Sequence, residues 1–210
     1  MLSPRILLWA LGLLLQSNIH VLAADPSTPP ATVFGRVTTE NNKPLPEMIV
    51  YLEPTNPSIK FDAPKAPAVI SQKGAQFSPS FVPICVGQTV EFPNDETRPI
   101  EHNVFSQSPA KAFDLGLYSP PARKSITFDK PGPVRLFCSV HRYMDGVIFV
   151  CPTPFFSLVS SDGLYKISDV PPGEYKVKTF QRNQRYPEKE LTFTLPPGQT
   201  VPVMLEMSRR

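Results

Sequence analysis

Twenty-seven of the 210 residues are proline, against ten glycines. Proline fixes φ near about −65°, removes a backbone donor and clashes with the preceding turn inside a helix. In sheets it is confined to edges, strand starts and bulges. No stretch of the chain carries the periodicity of an amphipathic helix of useful length. What the sequence offers instead is short alternating segments between turn signals. These include Thr32–Thr38, Met48–Glu53, Ala68–Lys73, Phe81–Val86, Thr89–Phe92, Arg123–Phe128, Val134–Phe137 and Val147–Val150. Further segments follow at Gly163–Ile167, Val170–Lys178, Glu190–Leu195 and Val201–Met207, whereas Lys111–Leu117 reads as irregular. The expected fold class is all-β: a Greek-key β-sandwich plus a second, smaller and discontinuous β-sandwich.

The N-terminus has the layout of a secretory leader: Arg5, an apolar run from Ile6 to Leu15, and small residues at Ala23-Ala24. The run is too short for a comfortable membrane span. Cleavage after Ala24 predicts an exported protein, periplasmic or secreted, with no membrane span left. It removes Arg5 and no acid, so Lys+Arg falls from 21 to 20 against 18 Asp+Glu, a net charge of +2. A balance so near neutral, evenly spread, argues against nucleic acid as a partner.

Export places three cysteines in an oxidising compartment. Cys85 and Cys151 each lie in a strand-like apolar run and make an even pair, either a disulfide or two buried free thiols. Cys138 stands apart, in Phe137-Cys138-Ser139-Val140-His141-Arg142-Tyr143-Met144. That loop holds a thiolate, an imidazole and a thioether at the spacing C-x-x-H-x-x-M. Upstream, Glu101-His102-Asn103 supplies a second imidazole.

Each of these residues alone is ordinary, since a lone His or Met is usually structural and a lone buried Cys behaves as a small hydrophobe. Together, two His, one Cys and one Met are the donor set of a mononuclear blue-copper site, a His-His-Cys plane with a weak axial Met. Soft thiolate suits Cu(I), imidazole serves both Cu(I) and Cu(II), and a scaffold holding all four donors fixed makes single-electron transfer fast. The expected ligands of one copper ion are His102, Cys138, His141 and Met144.

Residues from about Val69 to Val150 resemble the cupredoxins, of the plastocyanin and amicyanin kind and of the type found near methylamine-utilisation functions. The resemblance rests on Phe81-Val82-Pro83-Ile84-Cys85-Val86-Gly87-Gln88-Thr89-Val90-Glu91-Phe92-Pro93-Asn94, on His102-Asn103-Val104-Phe105-Ser106, and on the short Cys138 loop. It implies that Asn103 and Ser139 hydrogen-bond each other and tie the ligand loops together; the other reading makes them turn formers. It implies an exposed His141 as the electron exit. Pro99, Ile100, Val140 and Tyr143 are then either a docking rim or a cover for the core. The partner it implies is a redox protein, such as a c-type cytochrome or a quinoprotein dehydrogenase.

The flanks resemble a carboxypeptidase-regulatory-like domain, through Val33-Phe34-Gly35-Arg36-Val37 and Lys43-Pro44-Leu45-Pro46 on one side. On the other the match is Asp162-Gly163-Leu164-Tyr165-Lys166-Ile167 and Val170-Pro171-Pro172-Gly173-Glu174-Tyr175. The implied layout is a signal peptide over 1–24 and a linker over 25–31. One discontinuous sandwich takes 32–60 with 153–208, and a cupredoxin unit over 66–152 is inserted in it.

Rival functions use the same residues. A Cys138–His141 nucleophile and base has no evident orienting acid and leaves Met144 without a role. A zinc site would not recruit methionine. Copper delivery or storage, and a scaffold role with an incidental metal site, remain beside electron transfer. The chain is expected not to be an enzyme.

Overall fold

A computed structural model describes residues 28–57, Ile59 and 61–209. The leader and the first half of the linker lie outside the described residues. The strands are β1 (Ala31–Thr39), β2 (Met48–Pro54), β3 (Ala68–Val69), β4 (Ser71–Gln72), β5 (Phe77–Ser78) and β6 (Phe81–Cys85). They continue with β7 (Thr89–Pro93), β8 (Phe105–Ser108), β9 (Lys111–Asp114), β10 (Arg123–Thr127), β11 (Gly132–Phe137) and β12 (Asp145–Cys151). The last six are β13 (Phe156–Leu158), β14 (Leu164–Val170), β15 (Gly173–Gln181), β16 (Glu190–Leu195), β17 (Thr200–Pro202) and β18 (Leu205–Met207). No helix occurs among the described residues, and the fold is all-β.

The strands from the middle of the chain form two facing sheets, ordered β6-β12-β11-β8-β9 and β10-β7-β3. The chain crosses between them in Greek-key fashion, so that β6 lies parallel to β12 rather than beside its sequence neighbour β7. Ile84, Phe92, Phe128, Leu136, Ile148 and their neighbours fill the space between. Strands from the two ends of the chain meet in a second pair of sheets, β13-β2-β15-β16 and β14-β1-β17, with β18 also on β1. Their core gathers Val33, Val37, Met48, Val50 and Leu52 from before the middle segment with Tyr165, Ile167, Val177 and Leu205 from after it.

β2 and β12 are buried on both faces, which explains why each reads as an unbroken apolar run rather than an alternation. Met48, Val50 and Leu52 point into one core and Ile49 and Tyr51 out of it; Ile148 and Val150 point into the other, with Val147, Phe149 and Cys151 turned outward. The outward sets meet in a third apolar cluster between the two sandwiches. Phe149 stacks on Phe180 with ring centroids 4.2 Å apart and touches Tyr51 at 5.3 Å.

Three segments differ from the sequence reading. Val170–Lys178 is not one strand, since β14 ends at Val170 and β15 begins at Gly173. Lys111–Asp114 is a strand, not irregular: it pairs with β8 from Ser108↔Lys111 to Phe105↔Asp114 around a two-residue turn. The Ala68–Lys73 segment breaks at Ile70, because β3 joins β7 while β4 turns away to β5.

Candidate metal centre

Two segments deliver the candidate ligands. β11 ends at Phe137, which pairs with Asp145 at the start of β12, so Cys138–Met144 is the loop of a β-hairpin. Within it the Met144 amide donates to the His141 carbonyl at 3.0 Å, folding the last turn back on itself. His102 comes from the segment before β8. Its amide and carbonyl both bond to Tyr118, at 3.2 and 2.9 Å, fixing the backbone on one side. The buried Asn94 amide donates to the carbonyls of Ile100 and Tyr118, both at 2.9 Å, and ties down the loop leading to His102.

Three donors converge. His102 Nδ1 lies 3.2 Å from His141 Nδ1 and 3.9 Å from Cys138 Sγ. The three donor atoms all lie within 4.8 Å of one another. An ion bonded at about 2.0–2.1 Å to imidazole nitrogen and about 2.3 Å to thiolate holds such donors no more than about 4.4 Å apart, so binding one ion would draw the widest-spaced of the three together. His102 and Cys138 are buried, and His141 is half-buried at the surface. Met144 is 1% exposed and packs in the same apolar cluster as Cys138. Soft sulfur, two imidazoles and a dry surround fit a copper ion better than a hard cation.

Sequence reasoning missed Glu96. His102 Nε2 lies 3.0 Å from Glu96 Oε1, and the carboxylate side chain is only 8% exposed. Glu96 also accepts from the Ala75 amide at 2.8 Å. That amide first, and His102 second, hold the Glu96 carboxyl below its ordinary range. A carboxylate accepting at Nε2 places the His102 proton there and leaves Nδ1 as a lone pair facing the other two donors. Glu96 stands six positions before His102, so a glutamate in the preceding loop was the only available signal.

Asn103 and Ser139 meet: Asn103 Oδ1 accepts from the Ser139 amide at 2.8 Å and from its hydroxyl at 2.9 Å. The Asn103 side-chain nitrogen donates in turn to Asp114 Oδ1, on β9, at 3.1 Å. Pro99, Val140 and Tyr143 are exposed, Tyr143 at 71%, and Ile100 is half-buried. Tyr143 and His141 rings lie 5.8 Å apart.

Cys85 and Cys151 are direct neighbours in parallel register on β6 and β12, and in this structure both are free thiols. Burial pushes both thiols up, Cys151 the further, with the Cys85 charge adding to it.

No protein-family model and no curated protein sequence matches the chain. Among solved structures, it resembles in part the Cu-containing nitrite reductase NirK from Thermus scotoductus SA-01, at 31% identity and a TM-score of 0.39 over 47% of this chain. That match spans only 25% of the nitrite reductase chain. A purple cupredoxin from Nitrosopumilus maritimus matches at 25% identity and TM-score 0.36, over 40% of this chain and 99% of its own. A reduced single-substitution variant of amicyanin matches at 18% identity and TM-score 0.38, over 48% of this chain and 99% of its own.

Proposed function

We propose that the chain is an exported type 1 copper protein that carries single electrons between redox partners. The observation that carries this reading is the convergence of His102 Nδ1, His141 Nδ1 and Cys138 Sγ, two of the three residues buried. Met144, buried in the same apolar cluster as Cys138, is the fourth ligand in this proposal, as the weak axial donor.

Copper, when bound, supplies a one-electron couple; the residues of the chain do the rest. Glu96 orients His102 and fixes its tautomer. The Asn103–Ser139 hydrogen bonds lock the two ligand segments in one register. The apolar packing around Cys138 and Met144 excludes water, so that little reorganises when the charge changes. His141, half-buried, is the exit for the electron, and Pro99, Ile100, Val140 and Tyr143 form the docking rim around it. A c-type cytochrome or a quinoprotein dehydrogenase is the proposed kind of partner, and the periplasm or the exterior the proposed location. The domain division goes with this reading: a copper unit over 66–152 carried in a carboxypeptidase-regulatory-like sandwich built from 32–60 and 153–208.

The test is direct. Cu(II) added to the metal-free protein gives an intense thiolate-to-copper band, lost in Cys138→Ser. A colourless wild type would overturn the reading. Cycling the loaded protein against a reduced c-type cytochrome leaves the metal in place; loss of copper on each turnover would assign delivery instead.

A further inference from the structure

The Cys138–Met144 loop is anchored unevenly. At its start, Ser139 is tied to Asn103. Four of its residues, Ser139, Val140, Arg142 and Tyr143, are exposed. Its far end is fixed by Asp145, which closes the hairpin opposite Phe137. The Asp145 carboxylate is held from two sides: Oδ1 accepts from Arg135 Nη2 at 3.0 Å, and Oδ2 from Arg182 Nη2 at 3.2 Å.

The two arginines differ. Arg135 belongs to β11, within the same hairpin, and its side chain is 62% exposed. Arg182 follows β15, in the other sandwich, and is 18% exposed. Its guanidinium is itself fixed, with Nη1 donating to Ser80 Oγ at 3.0 Å and to Glu47 Oε1 at 3.3 Å, while its amide donates to the Glu47 carbonyl at 3.1 Å. The Ser80 carbonyl in turn accepts from the Val147 amide at 2.9 Å, two residues beyond Asp145. A shielded, multiply bonded guanidinium holds a carboxylate more firmly than an exposed pair does. Phe180, two residues before Arg182, stacks on Phe149 of β12, with ring centroids 4.2 Å apart.

We infer that Arg182 is a positioning residue for the metal loop: through Asp145 it pins the strand end next to Met144, and so makes the outer sandwich a buttress for the copper site. This rests on the copper reading for its consequence, but the mechanical part does not need the metal. Removing Arg182 frees the end of the loop that carries His141 and Met144, while Asn103 continues to hold the end that carries Cys138.

The test uses the full chain with Arg182→Met, Arg182→Lys and Asp145→Asn. In the metal-free protein, amide hydrogen exchange of residues 141–147 is about tenfold faster in Arg182→Met, while β1 and β7 keep their protection; Arg182→Lys recovers part of it. In the copper-loaded protein, the same variant binds Cu(II) about tenfold more weakly, the scale of lost ligand-orienting contacts. Its reduction potential and EPR spectrum shift as well. If Arg182→Met fails to fold, Asp145→Asn, close in shape, carries the test and shows the same changes. Unchanged exchange over 141–147 with an unchanged potential and spectrum in folded variants would overturn the buttress alone. A wild type without the thiolate-to-copper band would overturn the copper reading, and the exchange data would still decide the mechanical claim.

Discussion

At the scale of single residues, the centre depends on one proton. His102 can present Nδ1 to a metal only if its proton sits on Nε2, and Glu96 Oε1 at 3.0 Å puts it there. Glu96→Gln keeps the shape but can offer its amide nitrogen to Nε2 instead of an oxygen. We expect Cu(II) affinity to fall about tenfold in that variant, read by competition titration against a chelator of known strength. Unaltered affinity would remove Glu96 from the account. The sulfur atoms make a second residue-level statement. Cys85, Cys138 and Cys151 are all buried free thiols, so a thiol reagent finds three after denaturation without reductant and reacts slowly with the metal-free native protein. A count of one would mean that Cys85 and Cys151 are bridged in solution. The three donors that converge were legible in the sequence because their types and spacing are chemical requirements. Glu96 was not, because its partner lies across a loop whose path the residues do not spell out.

At the scale of elements, β1 and β2 decide how the ends of the chain come together. β1 pairs antiparallel with β14 and parallel with β17 and β18, which brings Val203 against Gly35. A Cβ at Gly35 would meet the Val203 carbonyl oxygen at 1.9 Å, a clash with backbone that no side-chain movement relieves. Gly35→Ala is expected to destabilise the protein by at least about 2 kcal/mol in denaturant unfolding, at the upper end of overpacking effects. The outward faces of β2 and β12 form the seam between sandwiches, and Phe149 is its centre at 5% exposure. Phe149→Ala is expected to cost about 3 kcal/mol. It should also split a single unfolding transition into two, followed by fluorescence and by the copper band. A single transition with unchanged midpoint would show that the seam does not couple them. The seam could be suspected from the runs Met48–Leu52 and Val147–Cys151, too continuous for strands with one wet face. β9 could not, since its strand character comes from its pairing with β8.

At the scale of the whole molecule, buried titratable groups set the alkaline limit. Burial raises the Cys85 and Cys151 thiols and the Tyr51 and Tyr165 phenols, and pushes Tyr118 and Tyr175 up to about 12. A group raised in the folded state contributes stability that is complete below its unfolded value and lost as pH rises toward the folded one. The unfolded chain therefore gains from ionisation first near about 8.5 for thiols and then near about 10 for phenols. Stability of the metal-free protein, measured by urea unfolding, is expected to be flat with respect to these groups below pH of about 8 and to fall between about 9 and 12. Cys85→Ala should flatten the first part of that fall. A stability that rose over this range would contradict the burial of these groups.

The sequence by itself determined the all-β class, because prolines this frequent leave little room for helices and the alternating segments had to be strands. It also singled out His102, Cys138 and His141, because a thiolate with two imidazoles suits few metals. Tertiary structure alone decided the rest. Bringing His102 Nδ1 within 3.2 Å of His141 and 3.9 Å of Cys138 depends on strands that pair across long sequence separations. So do the choice of tautomer by Glu96, the placing of Cys85 beside Cys151, and the reach of Arg182 from one sandwich to Asp145, at the end of the Cys138–Met144 loop of the other. Each of these is a matter of register and distance between segments far apart in the chain, and local residue preferences contain no term for either.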